Sequence, residues 1–361
     1  MPTVFAHETW FTDGPFPSDW AFAGETLSLA LLTAALAVTL LVRLIATRFP
    51  GVDVPFLSRL VPWMPFAVRM HLGVSLVGLL SMGVYLSPAM DLEATLGGIA
   101  LGVTMGAVAV LMLTGWHARA GAALLVAAGP LGMLEFGLGP VAQRADLLGL
   151  AVFVLLAGAG RWSADAETGR AAEPGPLDLA RAVWALRIGA GVALIVVAFA
   201  EKLANPAMAL AFLAEHPDFN VAALVGLPLG DLEFVRLAGA IEVLFGLLLI
   251  SGALPQAIVL IAGIPFNATL WFFGTDELLG HLPVYGAMLV LLVLGSDPAL
   301  RPAVSALWPF RGWAPRGGRY RGIGAPRDVE RQLGQAARAA AAPVAGRAAA
   351  RRGVPAGDQA R

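Results

Sequence analysis

Long apolar stretches dominate this chain and constrain its fold more than any other feature of the sequence. About nine runs, each close to the roughly 20 residues that cross a bilayer, are separated by short polar or Pro/Gly-rich breaks. Only 14% of the 361 residues are charged, against about 25% in typical soluble globular domains. The sequence therefore predicts an all-α, polytopic transmembrane helical protein with about nine spans, at 26–47, 69–87, 93–114, 118–138, 146–160, 183–204, 234–252, 254–274 and 281–296.

The distribution of basic residues predicts the orientation of these spans. Cytoplasmic loops of membrane proteins carry an excess of Lys and Arg. With the N-terminus outside, ten basic residues before position 311 fall inside and three fall outside. The polar segment 1–20 has neither a basic start nor a small-residue cleavage site, so we expect no removable signal peptide. We expect a protein of the plasma (inner) membrane with its N-terminus outside and its C-terminus in the cytoplasm.

The C-terminal segment 311–361 is rich in Ala, Arg, Gly and Pro and carries eleven arginines against three acidic residues. Such a segment cannot bury enough apolar surface to fold alone, and we expect a disordered, basic cytoplasmic tail. Anionic lipid headgroups are the partner that its charge suits, and an uncommitted tail is the alternative. Nucleic acid is disfavoured, because the segment has few interleaved aromatic residues.

The complete absence of cysteine restricts the chemistry. It excludes disulfides, thiolate catalysis, iron–sulfur clusters and zinc–thiolate sites. A b-type haem is disfavoured because the histidines within spans, His71 and His281, are expected at opposite membrane faces. No metal-binding spacing is present. A redox role would therefore need a bound cofactor or a partner, and no cofactor is certain from the sequence.

One pattern occurs twice in the chain. RMHLGVSLVGLLSMGVYLSPAM from Arg69 matches RIGAGVALIVVAFAEKLANPAM from Arg187, GAVAVLMLTG matches GAIEVLFGLLLISG, and AAGP matches AGIP. The repeat predicts an N-terminal segment with the first transmembrane helix (1–60), a first four-helix unit (61–165), a second four-helix unit (181–300) and the tail (311–361). Arg69 and Arg187 are expected to be structural. Only the second copy keeps ionisable groups, because Gly83, Val84 and Ala109 stand opposite Glu201, Lys202 and Glu242.

The second unit, about 181–297, resembles the DoxX-like superfamily of four-helix integral membrane proteins. The resemblance rests on ALRIGAGVALIVVAFAEKLANPAMALAFL, AGAIEVLFGLLLISGALP and GHLPVYGAMLVLLVLG. It implies an association with redox systems, since the superfamily includes a subunit linked to thiosulfate:quinone oxidoreduction and membrane partners of detoxifying redox enzymes. It also includes a methylamine-utilisation component and eukaryotic cargo receptors.

Six residues form the candidate ligand-binding set: Lys202, Glu201, Glu242, Asn267, His281 and Tyr285. Lys202 is the only lysine, and Glu242 lies inside the seventh span, where a buried carboxylate needs a nearby cation. The sequence therefore predicts a Lys202–Glu242 pair, and helical spacing predicts that Asn267, His281 and Tyr285 converge with it. Such polar groups in an apolar bundle would suit a quinone headgroup, whose carbonyls need donors.

Other interpretations of these residues stay open. Lys202 can snorkel to the headgroups, the pair can be a purely structural ion pair, and His281 and Tyr285 can be interfacial anchors. Nearby, we expect Arg236 to pair with Glu233, and Arg144 with Glu135.

The sequence favours a DoxX-like membrane subunit or partner of an oxidoreductase system, with quinone binding as a possible role. Because no residue demands catalysis by its type alone, a non-catalytic subunit is favoured over an independent enzyme. The alternatives are a small-solute or proton transporter and a passive membrane scaffold.

Overall fold

The computed structural model of the chain describes residues 16–273 and 275–310. These residues are predominantly helical and contain no β-strand. Seven of their helices are long and apolar enough to cross a membrane. The predicted fold class, an all-α polytopic membrane protein, is confirmed. The tail 311–361 lies outside the described residues.

Nine main helices of the described residues correspond to the nine predicted spans. They are α1 Thr26–Ala46, α2 Met64–Ser81, α3 Leu96–Thr114, α4 Ala118–Phe136, α5 Ala145–Ala157, α6 Pro176–Ala198, α7 Asp231–Ser251, α8 Pro255–Phe273 and α9 Thr275–Gly295. The two that fall short of the spanning criteria are α5, with 13 residues, and α8, whose apolar stretch is Pro255–Leu270.

Some predicted boundaries were wrong by several residues. The span predicted at 69–87 begins with a short turn at Val61 and ends at Ser81. Pro65 fits this early start, because proline is tolerated in the first turn of a helix. After Ser81 the chain turns through Gly83, at a φ of 75°, into an isolated bridge between Val84 and Asp91.

The helices contact one another in a reciprocal pattern. In the first set of four helices, α2–α5, each helix contacts the next one in the chain, and α5 contacts α2. The second set, α6–α9, repeats this pattern, with α9 in contact with α6. The two sets join through α5 against α6 and through α2 against α9, while α1 packs on α7. Two parallel copies related by a two-fold axis would make these two joining contacts equivalent. The duplication itself stays a prediction.

The turn after the second helix of each set has the same backbone conformation. Gly115 ends α3 and Gly252 ends α7, both with a φ of 64°. Two residues later, His117 and Leu254 are also left-handed, with φ values of 48° and 41°. Glycine suits the first position because a left-handed conformation strains residues with a Cβ.

This shared turn gives a second way to align the two predicted copies. Glu242 stands ten residues before Gly252, and the residue ten before Gly115 is Met105. Aligned on the turn, Glu242 stands opposite Met105, whereas the sequence pattern sets it opposite Ala109. Met105 and Ala109 are both buried and apolar, so in either alignment the ionisable group is found only in α7.

A fully buried arginine from the first helix of each set reaches this turn. A Cβ on Gly115 would crowd the guanidinium of Arg69, and a Cβ on Gly252 would overlap that of Arg187. Arg187 donates a hydrogen bond to the carbonyl of Ala306. Arg69 donates to the carbonyls of Met112, Leu113, Ala159 and Trp162. A guanidinium at the C-terminal end of a helix is favoured by the helix dipole.

Candidate functional site

The predicted pair between Lys202 and Glu242 is present. Lys202 Nζ lies 3.2 Å from Glu242 Oε1, and the exposed fractions of the two side chains are 11% and 30%. Glu242 is at the midpoint of α7, which begins at Asp231 and ends at Ser251. The ion pair is therefore placed at a depth where charged groups are costly and are usually functional or paired.

The backbone around Lys202 departs from a regular α-helix. After Ala198, α6 continues as a π-helical turn from Phe199 to Leu203. Such turns are rare and frequently occur at functional sites. Gly239 of α7 makes the close approach possible, because a Cβ there would crowd Leu203 and come within 3.3 Å of Lys202 Cβ.

Glu201 lies in the same π-turn and is 1% exposed. It is close enough to Glu242 to interact with it electrostatically. The second set of helices thus holds two carboxylates and one ammonium together, where the first set has apolar residues.

The end of the bundle next to Lys202 is covered by the segment 16–25, which precedes α1. Asp19 N–H donates to Ala204 O over 2.7 Å, and the Trp20 ring stacks on Phe199 at 5.9 Å between centroids. Asn205 Nδ2 donates to Phe16 O at 3.4 Å. The polar N-terminal segment therefore closes over the π-turn.

The same segment supplies the partner of Arg236. Arg236 forms an ion pair with Glu25, and its guanidinium lies over the Phe22 ring at 4.3 Å from the centroid. The predicted Arg236–Glu233 pair was wrong, because the covering segment brings a carboxylate and an aromatic face to the same guanidinium.

The helix after the π-turn adds to this cover. Pro206–Glu215 forms a short apolar helix whose N-terminus is capped by the Asn205 side chain.

The aromatic candidates meet around Phe266 of α8. The His281 ring packs edge-on against the Phe266 ring at 4.6 Å, and Tyr285 Oη donates to Phe266 O at 2.8 Å. His281 is only 5% exposed, so it packs inside the protein rather than projecting as a surface anchor.

A groove of about 520 Å³ runs between α8 and α9. Its two polar lining residues are Asn267 and Tyr285. Asn267 is exposed, and its Nδ2 donates to Gly263 O at 2.6 Å. The remaining lining residues are Val259, Leu260, Gly263, Ile264, Met288, Leu289 and Leu292.

Contacts among the described residues divide the six candidates into two groups. Lys202, Glu201 and Glu242 lie together between α6 and α7. Asn267, His281 and Tyr285 gather on α8 and α9. The contacts described link each group internally, and Asn267 is exposed. The convergence of all six residues on one site stays a prediction.

A second buried ion pair lies in the first set. Arg144 Nε lies 3.6 Å from an Asp146 carboxylate oxygen, with side-chain exposed fractions of 4% and 3%. Arg144 Nη1 also donates to Gly280 O. The predicted Arg144–Glu135 pair was wrong, because Glu135 instead accepts a hydrogen bond from Thr95.

Sequence reasoning missed the contributions of Trp20, Glu25 and Phe266. Trp20 and Glu25 lie in a short polar segment with no periodicity that points to a partner. Phe266 follows Pro265 inside α8 and is indistinguishable from other apolar residues by its type. The unusual concentration of aromatic and acidic residues in 16–25 was the available signal.

Among residues 16–273 and 275–310, no group of three His, Asp or Glu residues could hold a metal ion. Comparison of the chain with protein-family models, curated proteins and solved structures gives no match.

Proposed function

We propose that this chain is a DoxX-like integral membrane subunit of an oxidoreductase system and that it holds a quinone headgroup at Lys202 and Glu242. The electrons would come from a partner oxidoreductase, as the resemblance implies. The chain's own contribution is to bind and orient the headgroup. The proposal places the protein in the plasma (inner) membrane, with its N-terminus outside and its basic tail against anionic lipid headgroups in the cytoplasm.

One observation carries this proposal: the Lys202–Glu242 pair is covered at the end of the bundle and partly open at its side. The segment 16–25 lies over the π-turn, whereas the Glu242 side chain is 30% exposed at the midpoint of a membrane-spanning helix. At that depth a helix surface faces lipid or protein rather than water. Lateral access favours a lipid-soluble ligand over a water-soluble solute.

The residues present suit the two forms of a quinone. The Lys202 ammonium can donate to a quinone carbonyl. Glu242 Oε2 is buried and has no hydrogen-bond partner among the described residues. The carboxylate can therefore accept a hydrogen bond from a quinol hydroxyl. A bound quinone would supply the two-electron chemistry that a chain without cysteine lacks.

The experiment is mass-spectrometric quantification of quinone that co-purifies with the full chain in mild detergent. We expect near-stoichiometric quinone in the wild type and a loss of at least about tenfold in Lys202→Met and in Glu242→Gln. Asp146→Asn is the matched control, since it neutralises a buried ion-paired carboxylate in the other set and should leave quinone content unchanged. Equal quinone content in all four proteins would contradict the proposal.

Proton transport is the second candidate, favoured by the burial of Glu201 beside the Lys202–Glu242 pair. A chain of ionisable groups inside a membrane is a feature of proton relays. Reconstitution into liposomes with an internal pH dye tests this candidate. A proton flux that disappears in Glu201→Gln would favour transport, and quinone loss without flux would favour the redox subunit.

A further inference from the structure

The buried arginines of the described residues differ in how their charges are compensated. Three form ion pairs, namely Arg144 with Asp146, Arg236 with Glu25 and Arg301 with Asp53. Arg69, the fourth, lies within electrostatic reach of Asp165. Arg187, the fifth, has no acidic partner among the described residues, and the charge that acts on it is the positive charge of Arg43.

Arg43 and Arg187 meet at the C-terminal end of α7. Arg43 Nη1 donates to Ser251 O at 3.1 Å and to Ser305 O at 3.2 Å. Arg187 Nη2 donates to Ala306 O, the next carbonyl along the chain. Arg187 is fully buried, and its Nε and Nη1 atoms have no hydrogen-bond partner in the described structure.

The local backbone does not balance these two charges. A helix C-terminus presents about half of a negative charge, whereas Arg43 and Arg187 together carry two positive charges. Buried charges in proteins are normally paired, because an uncompensated charge in a low-dielectric environment is costly. The missing partner is an anion.

We propose that Arg43 and Arg187 form a binding site for the phosphate group of an anionic phospholipid. Arg43 is half-buried in the last turn of α1, so its guanidinium lies at the end of a membrane-spanning helix, the depth of lipid headgroups. The Nε and Nη2 atoms of Arg43 make no hydrogen bond to the described residues. Their N–H groups lie on the same edge of the guanidinium and can donate to two oxygens of one phosphate. Arg187 is buried near Arg43 and adds a second positive charge, which solvent screens only weakly.

This site is independent of the proposed quinone function, since Arg187 precedes Lys202 by 15 residues, or about 22 Å along a helix. It also differs from the tail, because its charges come from the helices α1 and α6. Basic pockets between membrane helices commonly bind phospholipid headgroups.

Thermal unfolding of the purified full chain in mild detergent tests the proposal. Three additives are titrated separately: phosphatidylglycerol, phosphatidylcholine and soluble glycerol phosphate. We expect saturable stabilisation by phosphatidylglycerol and a much smaller effect of the other two. In Arg43→Gln, the half-saturating concentration of phosphatidylglycerol should rise at least about fivefold, as expected for the loss of one interfacial charge.

Arg48→Gln is the matched control. It removes the same charge just beyond the same helix end, at an exposed position, and should change the half-saturating concentration less than about twofold. Equal shifts in Arg43→Gln and Arg48→Gln would overturn the site in favour of general surface charge. An equal response to glycerol phosphate would overturn the assignment to a lipid.

A second measurement covers the case in which Arg43→Gln does not fold. Native mass spectrometry of the wild-type chain, given equimolar phosphatidylglycerol and phosphatidylcholine, should show preferential retention of one phosphatidylglycerol molecule. Equal retention of the two lipids would overturn the proposal without any variant.

Discussion

The helices α2–α5 and the helices α6–α9 each contain a turn of the same conformation, but the buried arginine that reaches the turn is compensated differently in the two sets. In the first set, Arg69 donates to four carbonyls and lies near Asp165, so its charge is satisfied within the protein. In the second set, Arg187 donates to one described carbonyl and has no acidic partner among the described residues. The predicted duplication sets Lys202 and Glu242 opposite Val84 and Met105, which are apolar. The comparison indicates that the buried arginine of the first turn is compensated by described residues of the protein, whereas the buried arginine of the second turn is not.

The largest expected effect comes from removing the first-set arginine. Arg69→Met leaves four carbonyls without their charged donor and should lower the free energy of unfolding by about 4 kcal/mol. Arg187→Met removes only one such hydrogen bond, and it also removes an uncompensated charge, which is favourable. The free energy of unfolding should therefore fall by at most about 1 kcal/mol. Unfolding by SDS titration in mixed micelles measures both. Equal losses would show that the two turns are stabilised alike.

The next effect concerns the contact that joins the two sets. A Cβ on Gly189 of α6 would lie 2.5 Å from Ala145 O and 2.7 Å from Gly149 Cα of α5. Gly189→Val should therefore push the helices apart and cost about 3 kcal/mol. Gly263→Ala, where a Cβ would make only ordinary contacts at 3.5 Å, should change the free energy of unfolding by less than about 0.5 kcal/mol. The same SDS titration compares them, and a tolerated Gly189→Val would mean that the sets do not depend on this contact.

A third prediction separates the two buried ion pairs. Lys202→Met and Glu242→Gln should each cost about 2 kcal/mol, because each leaves one charge uncompensated. The double variant should lose no more than about 1 kcal/mol, giving a clear coupling in a double-mutant cycle. Arg144→Met and Asp146→Asn provide the parallel cycle in the first set and should also couple, but without any change in quinone content. Additive losses for Lys202 and Glu242 would show that the two side chains do not act as a pair.

The smallest expected effect tests the cover that only the second set carries. Trp20→Ala removes the stack on Phe199 and should cost about 0.5–1 kcal/mol. Because Lys202 is the only lysine, a water-soluble amine reagent with peptide mass spectrometry reports its accessibility directly. Labelling of Lys202 should be slow in the wild type and several-fold faster in Trp20→Ala. Rapid labelling in both proteins would mean that 16–25 does not shield the site.

Much of the helical architecture follows from local properties of the chain. Long apolar runs interrupted by Pro and Gly placed all nine helices, although the boundaries of α2 and α6 were displaced by several residues. The Lys202–Glu242 pair was predictable for a physical reason: each ionisable group stands in an apolar run and needs compensation there.

Contacts between distant segments were not predictable in the same way. Arg236 pairs with Glu25, 211 positions away, and Arg144 contacts the carbonyl of Gly280, 136 positions away. Nearest-neighbour reasoning along a helix selected Glu233 for Arg236 instead. The position of Asn267 in a groove between α8 and α9 was not predictable for a related reason, because depth in a membrane does not specify which way a helix faces.

By itself, the sequence determined that the protein is a bundle of membrane helices and that its few charges inside them must be compensated. Hydropathy is a sum over neighbouring residues, so a stretch of about 20 residues is enough to predict a membrane helix. Only the tertiary structure decided which groups compensate the buried arginines: the covering segment for Arg236, and no described carboxylate for Arg187. Those choices depend on how helices rotate and cross when close-packed, and close packing is a property of the whole bundle.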